Sequence, residues 1–263
     1  MLKLKGKSRL KEKIKKILLR YFNTLEGNGN SNFKTNGEEN FLNSLFEVYQ
    51  SRDFCVFDVG ANVGNYSELV LNNSKGRPLS IHAFEPTRGC FKELLSRFSG
   101  QKNIHLNNFG LSSSEKEATI YSDKEKSNLA SLYKRDLKNY GISLGRTESI
   151  SLKRLDTYIQ ENKISKVNLL KIDVEGHELE VLRGLGQYLN PDFIDFIQFE
   201  YGGCNLDSVT KLSDLYDVLA KNGFEICKIM PKYLEFRKYK IYMENFTYSN
   251  YVAVGPNFLS NEK

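Results

Sequence analysis

The chain has no pair of cysteines spaced C-x-x-C. Cys55, Cys90, Cys204 and Cys227 stand far apart, which excludes a zinc ribbon or a disulfide framework and leads us to expect reduced, structural thiols in a cytosolic protein. Long hydrophobic runs are missing too. Ile17-Leu18-Leu19 is too short for a signal-peptide core and nothing approaches a membrane span, so the expectation is a soluble protein, peripheral at a membrane at most. No G-x-x-x-x-G-K-[ST] loop occurs, and Asn62 stands where the dinucleotide pattern G-x-G-x-x-G needs its second glycine, so nucleoside triphosphates and nicotinamide start behind. An overall basic surface is also lacking. The formal charge is +6, yet residues 1–20 hold nine Lys or Arg against one Glu, leaving 29 basic and 31 acidic residues for the rest. The basicity belongs to an arm, so a global nucleic-acid surface is not expected.

What is present is one stretch around which the chain is organised. Apolar residues run almost unbroken from Phe54 to Phe57, Gly60 and Gly64 punctuate a turn, and Tyr66, Leu69 and Val70 return at helical spacing. This reads as a buried parallel strand, a tight loop and a helix start. Glycine lets the backbone approach a ligand, and the helix offers it N-terminal amides. Asp58 ends the strand at the edge where open α/β sheets bind ligands, and its carboxylate repels a pyrophosphate but attracts an ammonium group. A second strand, Leu79–Glu85, ends in an acid able to accept both hydroxyls of a ribose. Asp58 and Glu85 together describe S-adenosylmethionine better than NAD.

A length of 263 residues with 40% hydrophobic content suits one α/β domain with a short appendage. Residues 8–22 put Leu10, Ile14, Ile17, Leu18, Tyr21 and Phe22 on one helical face with lysines around the rest, so 1–26 is expected to be a basic amphipathic helix. Such a helix packs in cis or in a dimer, or lies on an anionic membrane. Residues 27–50 read as a Gly/Asn/Ser-rich linker and a short helix from Glu38 to Gln50, and 51–263 as the main domain. Strands are expected at Ile104–Asn107, Val167–Ile172, Phe193–Glu200, Phe224–Ile229 and Tyr248–Val254, and helices after Pro86, at Leu155–Gln160, after Glu178 and at Leu206–Asn222. Two insertions stand out. Residues 114–150, with short strands near Thr119 and Ser149, are the first candidate for a substrate-facing lid, and the tyrosine-rich 231–247 reads as a second substrate loop or a hairpin.

With these residues in place, the chain resembles the FkbM family of S-adenosylmethionine-dependent methyltransferases. The resemblance rests on Phe57-Asp-Val-Gly-Ala-Asn-Val-Gly64, Ala83-Phe-Glu-Pro86, Leu152-Lys-Arg-Leu-Asp156 and Leu170-Lys-Ile-Asp-Val-Glu-Gly-His-Glu178, in order. It implies a Rossmann-like class I methyltransferase fold with a mostly parallel seven-stranded sheet and helices on both faces. It also implies S-adenosyl-L-methionine as cofactor and a hydroxyl acceptor on a sugar, polysaccharide or small natural product. By the same resemblance Asp58, Gly60, Asn62 and Gly64 surround the methionine part of the cofactor, Glu85 its ribose, and Asn108 and Leu111 the adenine side. Asp173, Glu175 and His177 stand near the transferred methyl.

An alcohol is a weak nucleophile, so a base that takes its proton as the bond forms helps by about 10² to 10⁴-fold. His177, with an ordinary pKa near neutrality, is the leading candidate and Asp173 its rival. Asp173, His177 and Glu200 also invite a magnesium reading, but acids beside a cationic sulfonium account for them without an ion, and no metal is expected. The alternatives are an RNA methyltransferase using the basic arm and a non-catalytic domain that kept the fold. The [DNS]-P-P-[YFW] signature of amino-group methylation is absent.

Overall fold

The computed structural model describes residues 8–49 and 53–258. The first lysines of the basic arm, the Gln50 end of the expected short helix and the expected domain start at residue 51 lie outside them.

The chain begins with α1 (Arg9–Leu25), whose first turn is capped by Ser8, followed by α2 (Phe33–Asn36) and α3 (Glu38–Val48). Then come β1 (Phe54–Val59), α4 (Asn65–Ser74), β2 (Leu79–Phe84), α5 (Arg88–Phe98) and β3 (Ile104–Asn107). A short β4 (Gly110–Leu111), β5 (Lys116–Ser122) and β6 (Arg146–Lys153) form a separate three-stranded sheet ordered β4-β6-β5. After α6 (Leu155–Glu161), β7 (Val167–Ile172), α7 (Glu178–Gly184) and β8 (Ile194–Tyr201) continue the main sheet. It is completed by α8 (Gly203–Ser208), α9 (Leu212–Lys221), β9 (Glu225–Met230), β10 (Tyr233–Phe236) and β11 (Ser249–Val254).

Among the described residues the main sheet is eight-stranded, ordered β10-β9-β11-β8-β7-β1-β2-β3. β3, β2, β1, β7 and β8 run parallel, whereas β11 lies antiparallel between β8 and β9. The expected count of seven is one short. Residues 231–232 turn the chain back so that β10 pairs antiparallel with β9 and adds an edge strand. The reason is local, since Tyr233, Leu234 and Phe236 favour extended backbone beside an open sheet edge.

Alternation along the buried strands sends side chains to both faces. Val56 and Leu169 join a core with residues of α3, α4 and α5, while Phe57 and Leu170 join one with residues of α6, α7 and α9. The single helix expected over Leu206–Asn222 is two. Val209 takes left-handed backbone (φ 59°) and ends α8, so α9 restarts at Leu212. The expected linker is not slack either. It contains α2, and Gly29 N–H donates to the Tyr248 carbonyl at 2.8 Å while Asn28 Oδ1 accepts from Lys228 and from Ser249.

Candidate active site

A cavity of about 530 Å³ opens at the carboxyl edge of the parallel strands. Its floor is the β1 turn. Gly60 takes φ 82° there, and its N–H and that of Ala61 both donate to the Phe84 carbonyl. A Cβ on Gly60 would lie 1.8 Å from the Asp173 carbonyl oxygen, so this position admits only glycine if the β1 and β7 turns are to meet. Gly64 caps α4 at φ 89°, but it faces Leu94 and Phe98 of α5 and does not line the cavity.

Asp58 is completely buried. Ser67 donates to its Oδ2 at 2.6 Å, while Oδ1 has no partner among the described residues although Asp58 lines the cavity. Burial pushes this carboxyl above its ordinary range, against the pull of Lys171. A buried carboxylate oxygen without a donor is costly, and a ligand cation or N–H would satisfy it. Glu85 is held from three directions. Its Oε2 accepts the Asn62 N–H at 2.9 Å, and Oε1 accepts the Thr87 N–H and hydroxyl at 2.8 and 2.5 Å. Its carboxyl, too, is raised by burial.

Asn62, in left-handed backbone, joins the turn to the segment between β5 and β6 by donating to the Ser127 carbonyl at 2.9 Å. Ser127 and Leu129 of that segment line the cavity, as do Leu111 and, from the N-terminal region, Ser31 and Phe33. Asn108 does not. It is exposed, and its amide donates to the Glu85 and Pro86 carbonyls, which fixes the loop after β2.

The β7 end carries the remaining acids. Asp173 Oδ2 accepts from Lys171 Nζ at 2.9 Å. Burial works against the Lys171 charge, but Asp173, Glu200, Glu38 and Asp58 outweigh it and hold the lysine above its ordinary value. Glu175, at φ 51°, pairs with Arg135 at 2.6 Å, while burial and the neighbouring Asp173 push its carboxyl up to about 8. Glu200 accepts from the Tyr248 hydroxyl at 2.8 Å and is raised by burial and by Asp173.

His177 is 7% exposed, with Nδ1 2.9 Å from the Tyr133 hydroxyl and Nε2 3.0 Å from Ser112 Oγ. Burial lowers its pKa to about 4, so it is neutral near pH 7, with both nitrogens engaged. Among the described residues no group of three His, Cys, Asp or Glu side chains is arranged to hold a metal ion.

Sequence reasoning therefore brought Asp58, Gly60, Asn62, Glu85, Leu111, Asp173, Glu175 and His177 to one cavity, and it missed Lys171 and Arg135. Lys171 carried a signal. A lysine inside an apolar strand, two residues before an acid, shares that acid's face. No residue of 231–247 lines the cavity.

A parallel sheet with one antiparallel strand inserted near its end, a glycine turn after β1 and acids closing β1, β2, β7 and β8 define a class I, Rossmann-like methyltransferase. Residues 58–242 match the family profile described as "Methyltransferase FkbM domain". The chain belongs to this family of methyltransferases. It is 28% identical over 180 residues to the hexuronic acid methyltransferase AglP of Haloferax volcanii, covering 67% of each chain. It is 26% identical to Methyltransferase 1 of Beauveria bassiana, across 74% of this chain and 82% of that one. It also resembles the solved FkbM methyltransferase of Methylobacillus flagellatus KT, at 15% identity and TM-score 0.49, covering 81% of this chain and 47% of that one.

Proposed function

We propose that the chain uses S-adenosyl-L-methionine to methylate a hydroxyl group of a sugar, polysaccharide or small natural product. The unpartnered Asp58 Oδ1, buried in the cavity floor, is the observation that carries the cofactor reading, because a charged N–H donor suits it and a phosphate does not. Asp58 would face the amino group of the methionine part, Glu85 the ribose hydroxyls and Leu111 the adenine side. The acids around the mouth suit a ligand of positive charge. When bound, the cofactor supplies an electrophilic methyl on a sulfonium.

The protein's own part is alignment and proton transfer. Holding acceptor oxygen and methyl in line contributes roughly 7 to 11 kcal/mol to lowering the barrier. Asp173 is the better proton acceptor of the two candidates. Its carboxylate is partly exposed and is steadied by Lys171, whereas both His177 nitrogens are occupied by hydroxyls. His177 instead positions Tyr133, and Glu175 positions Arg135. Both partners belong to the segment between β5 and β6, which serves as a lid on the acceptor side.

The acceptor class is supported by the name of the Haloferax volcanii relative, since a hexuronic acid is a hydroxylated sugar. Calorimetric titration with S-adenosylmethionine tests the reading. Losing one hydrogen bond to a buried charge costs about 1.5 to 3 kcal/mol, so Asp58→Asn should weaken binding by about tenfold to a hundredfold without unfolding the chain. No binding by the folded wild type sinks the proposal. Methyl transfer to a panel of hydroxylated glycans then identifies the acceptor.

A further inference from the structure

α1 is amphipathic, yet it buries none of its residues. Leu10, Ile17, Leu18 and Leu25 remain about 60–70% exposed. The polar flanks carry Arg9, Lys11, Lys13, Lys15, Lys16 and Arg20 against the single acid Glu12. The stripe therefore does not pack in cis. Among the described residues, α1 makes its ring contact near its C-terminal end, where the Phe22 ring meets that of Tyr242 edge-on at 6.5 Å.

That contact joins the helix to a second exposed apolar group. Ile241 is 79% exposed and Tyr242 49%, with Lys238 and Lys240 just before them. Behind α1, Glu26 forms ion pairs with Lys228 and Arg237, and Asn28 and Gly29 bind residues at the start of β11. The Asn28 and Gly29 contacts with Ser249 and Tyr248 lie at the carboxyl edge of the sheet, the edge that holds the cavity, whereas Glu26 reaches Lys228 and Arg237 farther down β9 and β10. Ser31 and Phe33, a few residues on, line the cavity.

We propose that α1, together with Ile241 and Tyr242, docks on the surface of an anionic lipid bilayer. The charge decides between occupants. Two copies of the stripe in a dimer would set one strongly basic helix against another, and like charges at that range repel. Nucleic acid would neutralise the lysines but leave the leucines in water. An anionic bilayer takes both, apolar side chains at the acyl boundary and lysines among the headgroups, with Tyr242 at the interface. The segment that leaves α1 then leads from the membrane contact to the cavity wall at Ser31 and Phe33.

The test is co-sedimentation of the full chain with vesicles of phosphatidylcholine, alone or mixed with phosphatidylglycerol. Binding to the mixed vesicles should exceed that to phosphatidylcholine by about tenfold or more and fall at high salt. An Ile17→Ser/Leu18→Ser variant should lose it, as should Lys15→Glu/Lys16→Glu, and Ile241→Ser should weaken it. No fold is at risk in α1, because none of its residues is buried. Cofactor titration serves as the independent control and should be unchanged in all three. Absence of binding, equal binding to both vesicle types, or a dimer in sedimentation velocity that Ile17→Ser/Leu18→Ser dissociates would overturn the proposal, as would salt-sensitive binding to single-stranded RNA with none to vesicles.

Discussion

Asp58, Glu85, Glu175 and Glu200 are all driven toward their protonated forms by burial around one cavity. A cation placed among them favours the carboxylates, so its binding must expel protons. Affinity for S-adenosylmethionine should then rise as pH climbs toward about 8, where Glu175 gives up its proton, and the binding enthalpy should vary with the ionisation enthalpy of the buffer. Buffer-independent enthalpies would show that these acids are already charged without the ligand. His177 titrates in the other direction. The unfolded chain takes up its proton near pH 6.5 and the folded one at about 4, so stability from this residue is full above about 6.5 and is lost as pH falls toward 4. In His177→Gln that dependence disappears. The stability difference between wild type and variant should change by about 2 to 3 kcal/mol in favour of the wild type from pH 4.5 to 7.5, read by urea unfolding. A difference that stays flat with pH removes the buried neutral imidazole from the account.

Val209 shows how an element boundary escapes pattern reading. The apolar spacing from Leu206 to Leu219 runs on as if one helix continued, and only a left-handed residue, invisible to periodicity, separates α8 from α9. Valine pays roughly 1 to 2 kcal/mol for that backbone and is 82% exposed, so it gains little from packing. Val209→Gly should raise the melting temperature by roughly 1 to 3 °C once the greater freedom of glycine in the unfolded chain is subtracted. A lower melting temperature would mean that the valine methyls hold the α8–α9 corner. The strands were legible for the opposite reason. Neighbours such as Val56 and Phe57 in β1 or Leu169 and Leu170 in β7 are apolar on both faces because helices cover both, whereas a strand with one face in water would alternate with polar residues. Edge strand β10 was ambiguous, since half-exposed Tyr and Phe fit a hairpin as well as a substrate loop. Asp58 and Glu85 were readable as strand-end acids, whereas the hydroxyl partners of His177 come from distant segments, Ser112 and Tyr133, and no local pattern announces them.

For the molecule as a whole, α1 is an appendage in the energetic sense. It contributes no buried surface to either core, so a chain lacking residues 1–25 should melt within about 1 °C of the full chain and bind S-adenosylmethionine equally well. A clear loss of stability would show that α1 holds the ion pairs of Glu26 in place. The position of β11 has a different consequence, one of timing. Synthesis makes β8 and β9 first, and neither is the other's neighbour, because the strand that joins them is encoded about 20 residues after β9 ends. Until that strand arrives, the β9–β10 hairpin has no partner and the edge of β8 lies open, so the sheet closes late, through contacts distant in sequence that fold slowly. A nascent chain stalled before Ser249 is therefore the form of this protein most exposed to aggregation and to capture by chaperones.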